Sequence, residues 1–242
     1  MPYDHSINYR RKSIKSLPHR IRLKNILLYL EKEVNFTNKT YCDVGCSNGY
    51  ITALINAKFK PAECHGLDHS EGHVNEGRIN YPDICFNTID LNHDQQSFKQ
   101  YDIVSCFETL EHVGNLDKAL ENLLNITKKE GFLFIVVPIE IGFQGLVRFV
   151  IKTSFFKYNL NELSQEEHLY RSYFLTLLRG GRISRFRDKR QGWGTHFGFD
   201  YRDIDDYLRT AEVEYRAENK CGARYYFIKH RPPRSSGSKS GK

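Results

Sequence analysis

The sequence predicts an α/β fold: a doubly wound, mostly parallel sheet that finishes in an antiparallel hairpin and carries a helical insert. Three observations predict it. From residue 40, short apolar and aromatic runs alternate with helical stretches at the spacing of βαβ units. The last two runs are joined by KCGA and not by a helix, which makes them a hairpin at the sheet edge. Where the first run hands over to its helix the chain reads 41-YCDVGCSNGY-50, and its small residues mark the carboxyl end of the strands, where such sheets bind ligands.

Taken in order, residues 1–17 are polar and basic and read as a flexible arm. Pro18 then opens a helix with Ile21, Leu23, Ile26, Leu27, Leu28 and Leu30 on a broad apolar face. TYCDVG reads as a strand, ITALINAKF as a helix, AECHGLDHS as a strand, and the stretch around EGHVNEGRI as a short helix. ICFNTIDLN and YDIVSCFE are the next strands, and LDKALENLLNITKK is a helix that Gly131 stops directly after Lys128 and Lys129. GFLFIVVP follows as a strand. Residues 139–195 break the alternation and read as a helical lid or substrate-binding insert: an apolar helix with Arg148, Lys152 and Lys157 along it, a second helix ending at LRGGR, and the basic turn RISRFRDKR. A helix around FDYRDIDDYLRTA and the strands EVEYRAEN and RYYFIKHR complete the sheet, so residues 196–232 rejoin residues 18–138 in one domain, and residues 233–242 read as a disordered tail.

Composition bounds the setting. At 242 residues with 40% hydrophobic residues the chain can bury a sizeable core. A net charge of +7 suits an anionic partner and equally an ordinary soluble protein, so charge alone selects nothing. Cys42, Cys46, Cys64, Cys85, Cys106 and Cys221 form no CxxC pair and read as reduced, mostly buried thiols. With no apolar leader and no run long enough for a membrane span, the expected setting is cytoplasmic, with no transmembrane segment.

The small-residue loop is weak evidence until its neighbours are read. GCSNGY departs from GxGxxG, and no Gly-Lys-Ser or Gly-Lys-Thr is present, so neither dinucleotide nor P-loop chemistry is indicated. Asp43 inside the strand is unsuited to cradling phosphate and suited to accepting hydrogen bonds from a cationic or amine-bearing ligand. DVGCSNG resembles the DxGxGxG first motif of class I S-adenosylmethionine-dependent methyltransferases, with Ser47 at the middle glycine, and the order of elements is similar to that family over roughly residues 40–138 and 196–230.

The resemblance implies a Rossmann-like, seven-stranded sheet with S-adenosylmethionine as cofactor and S-adenosylhomocysteine as product. It assigns Asp43, Gly45, Cys46, Ser47 and Gly49 to the cofactor loop. Asp68 of HGLDHS goes to the ribose hydroxyls with His69 beside it, and Asp90 of NTIDLN to the adenine amino group, with Leu91 packing the ring. Phe107 and Glu108 of FETLEHV belong to the family's fourth motif, on the cofactor side. Read singly, the glycines could serve a tight turn, Asp68 a helix cap and Asp90 a turn.

Methyl transfer is an in-line displacement, so the protein positions the acceptor and, for a hydroxyl, removes a proton. Glu108, Glu111 and His112 lie at i, i+3 and i+4 and share a face if the segment is helical. Three readings stand. His112 is a general base with Glu111 beside it. Or Glu108, Glu111 and His112 join His196, with His168 as a weaker candidate, around a divalent metal, which resembles the metal-dependent small-RNA 3′-end methyltransferases and some quinone O-methyltransferases. Or Glu108 holds the cofactor side and the others cap a helix.

Arg182 and Arg185 in the basic run from Arg179 to Arg190, with His196, are the candidate acceptor-binding residues, and a solvated basic loop is the ordinary alternative. The apolar stripe of Phe149, Val150, Ile151, Phe155 and Phe156 could serve as lid, homodimer face or membrane-surface helix, most such stripes being core. The leading expectation is O-methylation of a small polar, glycan-type or phosphate-bearing acceptor. The alternative is metal-assisted RNA 2′-O methylation, against which stand the lack of a separate RNA-binding module and of an NPPY-type motif.

Overall fold

A computed structural model gives the fold and describes residues 9, 16–94, 99–155, 167–187, 193 and 198–229. The order is α1 (Leu17–Glu33), β1 (Thr40–Val44), α2 (Tyr50–Phe59), β2 (Glu63–Asp68), α3 (Glu71–Asn80), β3 (Cys85–Thr88), β4 (Tyr101–Phe107), α4 (Leu116–Ile126) and β5 (Thr127–Pro138). Then come α5 (Gly142–Phe155), α6 (Glu167–Leu178), a 3₁₀ turn (Ser184–Phe186), α7 (Arg202–Thr210), β6 (Tyr215–Lys220) and β7 (Ala223–Lys229). The strands form one seven-stranded sheet in the order β3-β2-β1-β4-β5-β7-β6, parallel from β3 to β5. β7 runs antiparallel between β5 and β6, and Cys221 and Gly222 both take positive φ in the two-residue turn, the geometry a tight hairpin requires.

Burial on both faces explains why β5 reads as a continuous apolar run. Leu133, Ile135 and Val137 point into a core shared with α4 and α7, while Phe134 and Val136 point into a second core shared with α1, α2 and α3. At the amino edge of the strands, Asp102 ties three of them together. It accepts from the Thr40 amide at 2.9 Å and the Thr40 hydroxyl at 2.7 Å and pairs with Lys128 Nζ at 2.9 Å. Cys42, Cys46, Cys64 and Cys106 are buried, Cys85 and Cys221 are exposed, and all six thiols are free.

Several expectations change. The inward face of α1 carries Arg22, Asn25, Ile26 and Leu30, whereas Ile21 and Leu28 are exposed. The reason is that Arg22 finds a buried carboxylate partner and Asn25 lies 3.5 Å from the Tyr225 hydroxyl. α4 ends at Ile126, not at Lys129, because Thr127 already turns extended, its hydroxyl bonding the Leu123 carbonyl at 2.8 Å. Gly131 instead sits where the β4–β5 register slips, and a Cβ there would press on the Lys128 carbonyl. The N-terminal arm is not loose at Tyr9, which is helical and reaches a buried carboxylate of the site. The insert forms its own small core of Tyr173, Leu177 and Ile183, with Phe149 packed against it. Phe156, Lys157, Lys189, Arg190, His196 and the tail lie outside the described residues. No described helix is long and apolar enough to cross a membrane.

Candidate active site

The loop between β1 and α2 is shaped by two glycines in the left-handed region. Gly45 has φ 78° and Gly49, which caps α2, has φ 80°. A Cβ on Gly45 would overlap the Thr109 side chain and one on Gly49 the Phe86 ring, so a residue with a side chain fits neither place. Ser47 also takes a positive φ, 50°, and its amide donates to Asp68 Oδ2 at 2.8 Å. The Ser47 hydroxyl is buried and has no partner among the described residues. A cofactor bearing charged polar groups would satisfy it.

Asp43 differs from the ligand-facing role expected of it. It is 2% exposed, and its two oxygens accept from Ser105 Oγ at 2.8 Å and Thr52 Oγ1 at 2.7 Å. Because the Ser105 hydrogen goes to Asp43, the Tyr41 hydroxyl, 2.6 Å from Ser105 Oγ, is the donor of that pair. Burial carries the Asp43 carboxyl up to about 6, against the pull of the two hydroxyls. Asp43 therefore braces the loop from below. Phe107 likewise points into the core, edge-on to Phe134, and Cys46 is buried with its Sγ 3.5 Å from the Ser47 carbonyl.

Asp68 and Asp90 stand at the ends of β2 and just past β3. Asp68 accepts from the Ser47 and Ser70 amides, with His69 and His73 within 4 Å of Oδ1. Burial pushes its carboxyl up, but the His73 side chain and the two amides outweigh that and hold it low. Asp90 accepts from the Asn92 amide and side chain, both at 3.0 Å, and lies 2.8 Å from His93. Burial again opposes, and those bonds again win. Leu91 is 1% exposed, and its carbonyl receives Asn122 Nδ2 at 2.9 Å.

Residues 108–113 form a turn, not the helix that would have put Glu108, Glu111 and His112 on one face. Glu108 takes φ 51°, and the His112 amide closes back on the Thr109 carbonyl at 2.9 Å. The turn still brings charges together. The Glu108 carboxylate pairs with Arg22, accepts from the Tyr9 hydroxyl at 3.1 Å and lies 3.3 Å from His19 Nδ1. Burial would raise it, yet Arg22 first and then His19 bring it down to about 2. Glu111, fully buried beside it, is pushed well up by burial and by the Glu108 charge. His112 is half-buried in the same turn. Arg187 reaches across from the insert to donate to the carbonyls of Leu110 at 3.2 Å, Glu111 at 3.1 Å and Val113.

The expected acceptor residues are placed differently. Arg182 donates to Asp203 at 2.8 Å and Asp206 at 2.6 Å, and Arg185 to Thr176 Oγ1 at 2.7 Å, so neither guanidinium is directed to the turn. His196 lies outside the described residues, and among those described no three His, Cys, Asp or Glu side chains are grouped to hold a metal. Arg22, His19, Tyr9 and Trp193 escaped the sequence reading. Of these only Arg22 carried a signal, a charge at i−4 and i−8 from the core residues Ile26 and Leu30.

The family described as "Methyltransferase domain" matches residues 9–204, most of the chain. The chain belongs to that family. It is an S-adenosylmethionine-dependent methyltransferase domain of class I. Among curated relatives it is 29% identical over 122 residues to the putative methyltransferase 235L of Invertebrate iridescent virus 6, covering 50% of this chain and 46% of that one. It is 31% identical over 121 residues to the ubiquinone biosynthesis O-methyltransferase of Coxiella burnetii, covering 47% of this chain and 48% of that one. The chain thus spans about half the length of the curated relatives it matches. The magnesium protoporphyrin IX methyltransferase of Synechocystis PCC 6803 shares the fold, with a TM-score of 0.60 at 15% identity over 93% of this chain and 91% of that one.

Proposed function

We propose that this methyltransferase methylates a hydroxyl oxygen of a small polar or glycan-type acceptor. One observation carries the reading. The turn after β4 packs its Thr109 against Gly45 of the donor loop and carries His112, half-buried, three residues on, which supports His112 as the proton acceptor. The Coxiella relative, whose name specifies O-methylation, supports the same chemistry.

Bound S-adenosylmethionine would supply an electrophilic methyl group on its sulfonium. Asp68 would hold the ribose hydroxyls, Asp90 the adenine amino group and Leu91 the ring face, while Gly45, Cys46, Ser47 and Gly49 let the backbone approach closely and offer the Ser47 hydroxyl. His112 takes the proton from the acceptor hydroxyl as the methyl group moves. Glu108, kept anionic by Arg22, and Glu111, whose carboxyl is pushed well up by burial and by the Glu108 charge, set the polarity of the turn that presents His112.

The phosphate-bearing acceptor loses support, since Arg182 is engaged by α7 and Arg185 by α6. Metal-assisted RNA 2′-O methylation ranks second, because Glu108 would have to leave Arg22 to become a ligand. The test is calorimetry with S-adenosylhomocysteine followed by turnover against a panel of hydroxyl acceptors. Asp68→Ala should abolish binding, and unchanged affinity sinks the donor-site assignment. His112→Ala should bind as the wild type does and lose about 100-fold or more in turnover, together with the rise of rate through the imidazole range. Turnover that persists in His112→Ala, with its pH profile intact, removes the base.

A further inference from the structure

The single tryptophan of the chain, Trp193, belongs to the insert and not to the sheet, yet it lies on the donor site. Its ring stacks on His69 with centroids 3.9 Å apart and planes 14° from parallel. Its Nε1 donates to Asp90 Oδ1 at 3.2 Å. It packs against the core cluster that includes Leu91 and Val113, and its backbone forms an antiparallel bridge with Val113. A flat aromatic ring with an in-plane N–H directed at Asp90, stacked on the residue next to Asp68, makes the contacts an adenine ring would make there.

Resting on the donor-site reading above, we propose that the Trp193 indole is an internal stand-in for adenine, which S-adenosylmethionine has to displace in order to bind. The same two groups cannot serve both rings. Asp90 Oδ1 already accepts from the Asn92 amide, the Asn92 side chain and the indole, and Leu91 is 1% exposed, leaving no open face for a second ring. Displacement has a second consequence. Trp193 is bridged to Val113, at the end of the turn that carries His112, and Arg187 ties the same carbonyls to the insert. The displaced indole stays tethered to that bridge, which links the donor side to the turn on the acceptor side. The residue sets cofactor affinity: a pocket open only a fraction of the time binds more weakly by that fraction.

Since this chain has no other tryptophan, emission excited beyond the tyrosine absorption band reports on this side chain. S-adenosylhomocysteine titrated into the wild type should shift emission to the red as the indole leaves the imidazole, with the midpoint matching the calorimetric affinity. Trp193→Ala should bind S-adenosylhomocysteine about tenfold tighter than the wild type if the open form is about a tenth of the population. Trp193→Phe, which keeps a ring and loses the N–H, should fall between the two. Emission unmoved at saturating S-adenosylhomocysteine, or a Trp193→Ala that melts like the wild type and binds more weakly, overturns the proposal and makes the indole a wall of the pocket. If wild type and Trp193→Ala both fail to bind, the donor-site reading falls with it. Binding by both that Asp68→Ala abolishes leaves that reading standing whichever way Trp193 decides.

Discussion

The glycine loop at residues 45–49 and the turn at residues 108–113 touch through Gly45 and Thr109, yet they are held by opposite means. The loop is held by steric exclusion: two left-handed glycines, each backed by a side chain with no room for a Cβ, and an amide on Asp68. The turn is held by charge: the largely buried Glu108 carboxylate on Arg22 and the half-buried guanidinium of Arg187 on three carbonyls. A site made this way separates its duties. The half that would hold the donor depends on shape, and the half that would move the proton depends on charges that pH and neighbouring residues can alter.

Removing Arg22 should break the comparison most severely. Arg22→Ala leaves Glu108 buried without its cation, and losing one partner of a buried pair costs about 3–5 kcal/mol, read as a lower midpoint in denaturant unfolding. The pH dependence gives a second check. Glu108 has a folded value of about 2 against an ordinary 4.5, so its contribution is present above about 4.5 and is lost as pH falls toward 2. Arg22→Ala should flatten that acid limb. Glu111 runs the other way: its folded value lies above the ordinary 4.5, so its contribution is full below 4.5 and is lost as pH rises. Two carboxyls three positions apart thus tilt stability in opposite directions.

Gly45→Ala sharpens the contrast. It adds a clash with Thr109 to a left-handed backbone and should cost roughly 2–4 kcal/mol, with donor binding lost and the acid limb unchanged. An acid limb that moved as in Arg22→Ala would show that loop and turn are a single unit. The smallest effect belongs to Arg182→Ala, whose side chain is 43% exposed and pairs with two surface carboxylates: below about 1 kcal/mol in stability and less than threefold in turnover. A tenfold rise in KM would instead return Arg182 to the acceptor site.

The sheet was legible because its signal is local. Short apolar and aromatic runs, the Gly45 and Gly49 positions and the KCGA turn need only their own neighbours to be read, and each of β1 to β7 overlaps the run that predicts it, β5 starting earlier, at Thr127. The partnerships were not. His19 meets Glu108 across 89 residues, and Trp193 meets Asp90 across 103, and nothing in either segment marks the other. The shared face that a helical FETLEH would give shows the same limit from the other side. Spacing of i, i+3 and i+4 fits a helical face, but Glu108 at positive φ turns the chain where β4 ends, and the geometry comes from Arg22 and Arg187 outside the motif.

The cysteines have a practical bearing that their scatter in the sequence conceals. Burial pushes the thiols of Cys42, Cys46 and Cys106 well up and that of Cys64 to about 12, so thiolate is scarce at all four. Cys85 on the outermost strand β3 and Cys221 in the hairpin turn between β6 and β7 are exposed. Strands lie about 4.8 Å apart, so five or six strand spacings separate the two positions laterally, and Cys85 opens β3 level with Ile228 while Cys221 sits past the far end of β7, so the sulfurs lie more than about 25 Å apart. Maleimide dyes would attach at those two points without any engineered residue, giving the protein a built-in energy-transfer ruler.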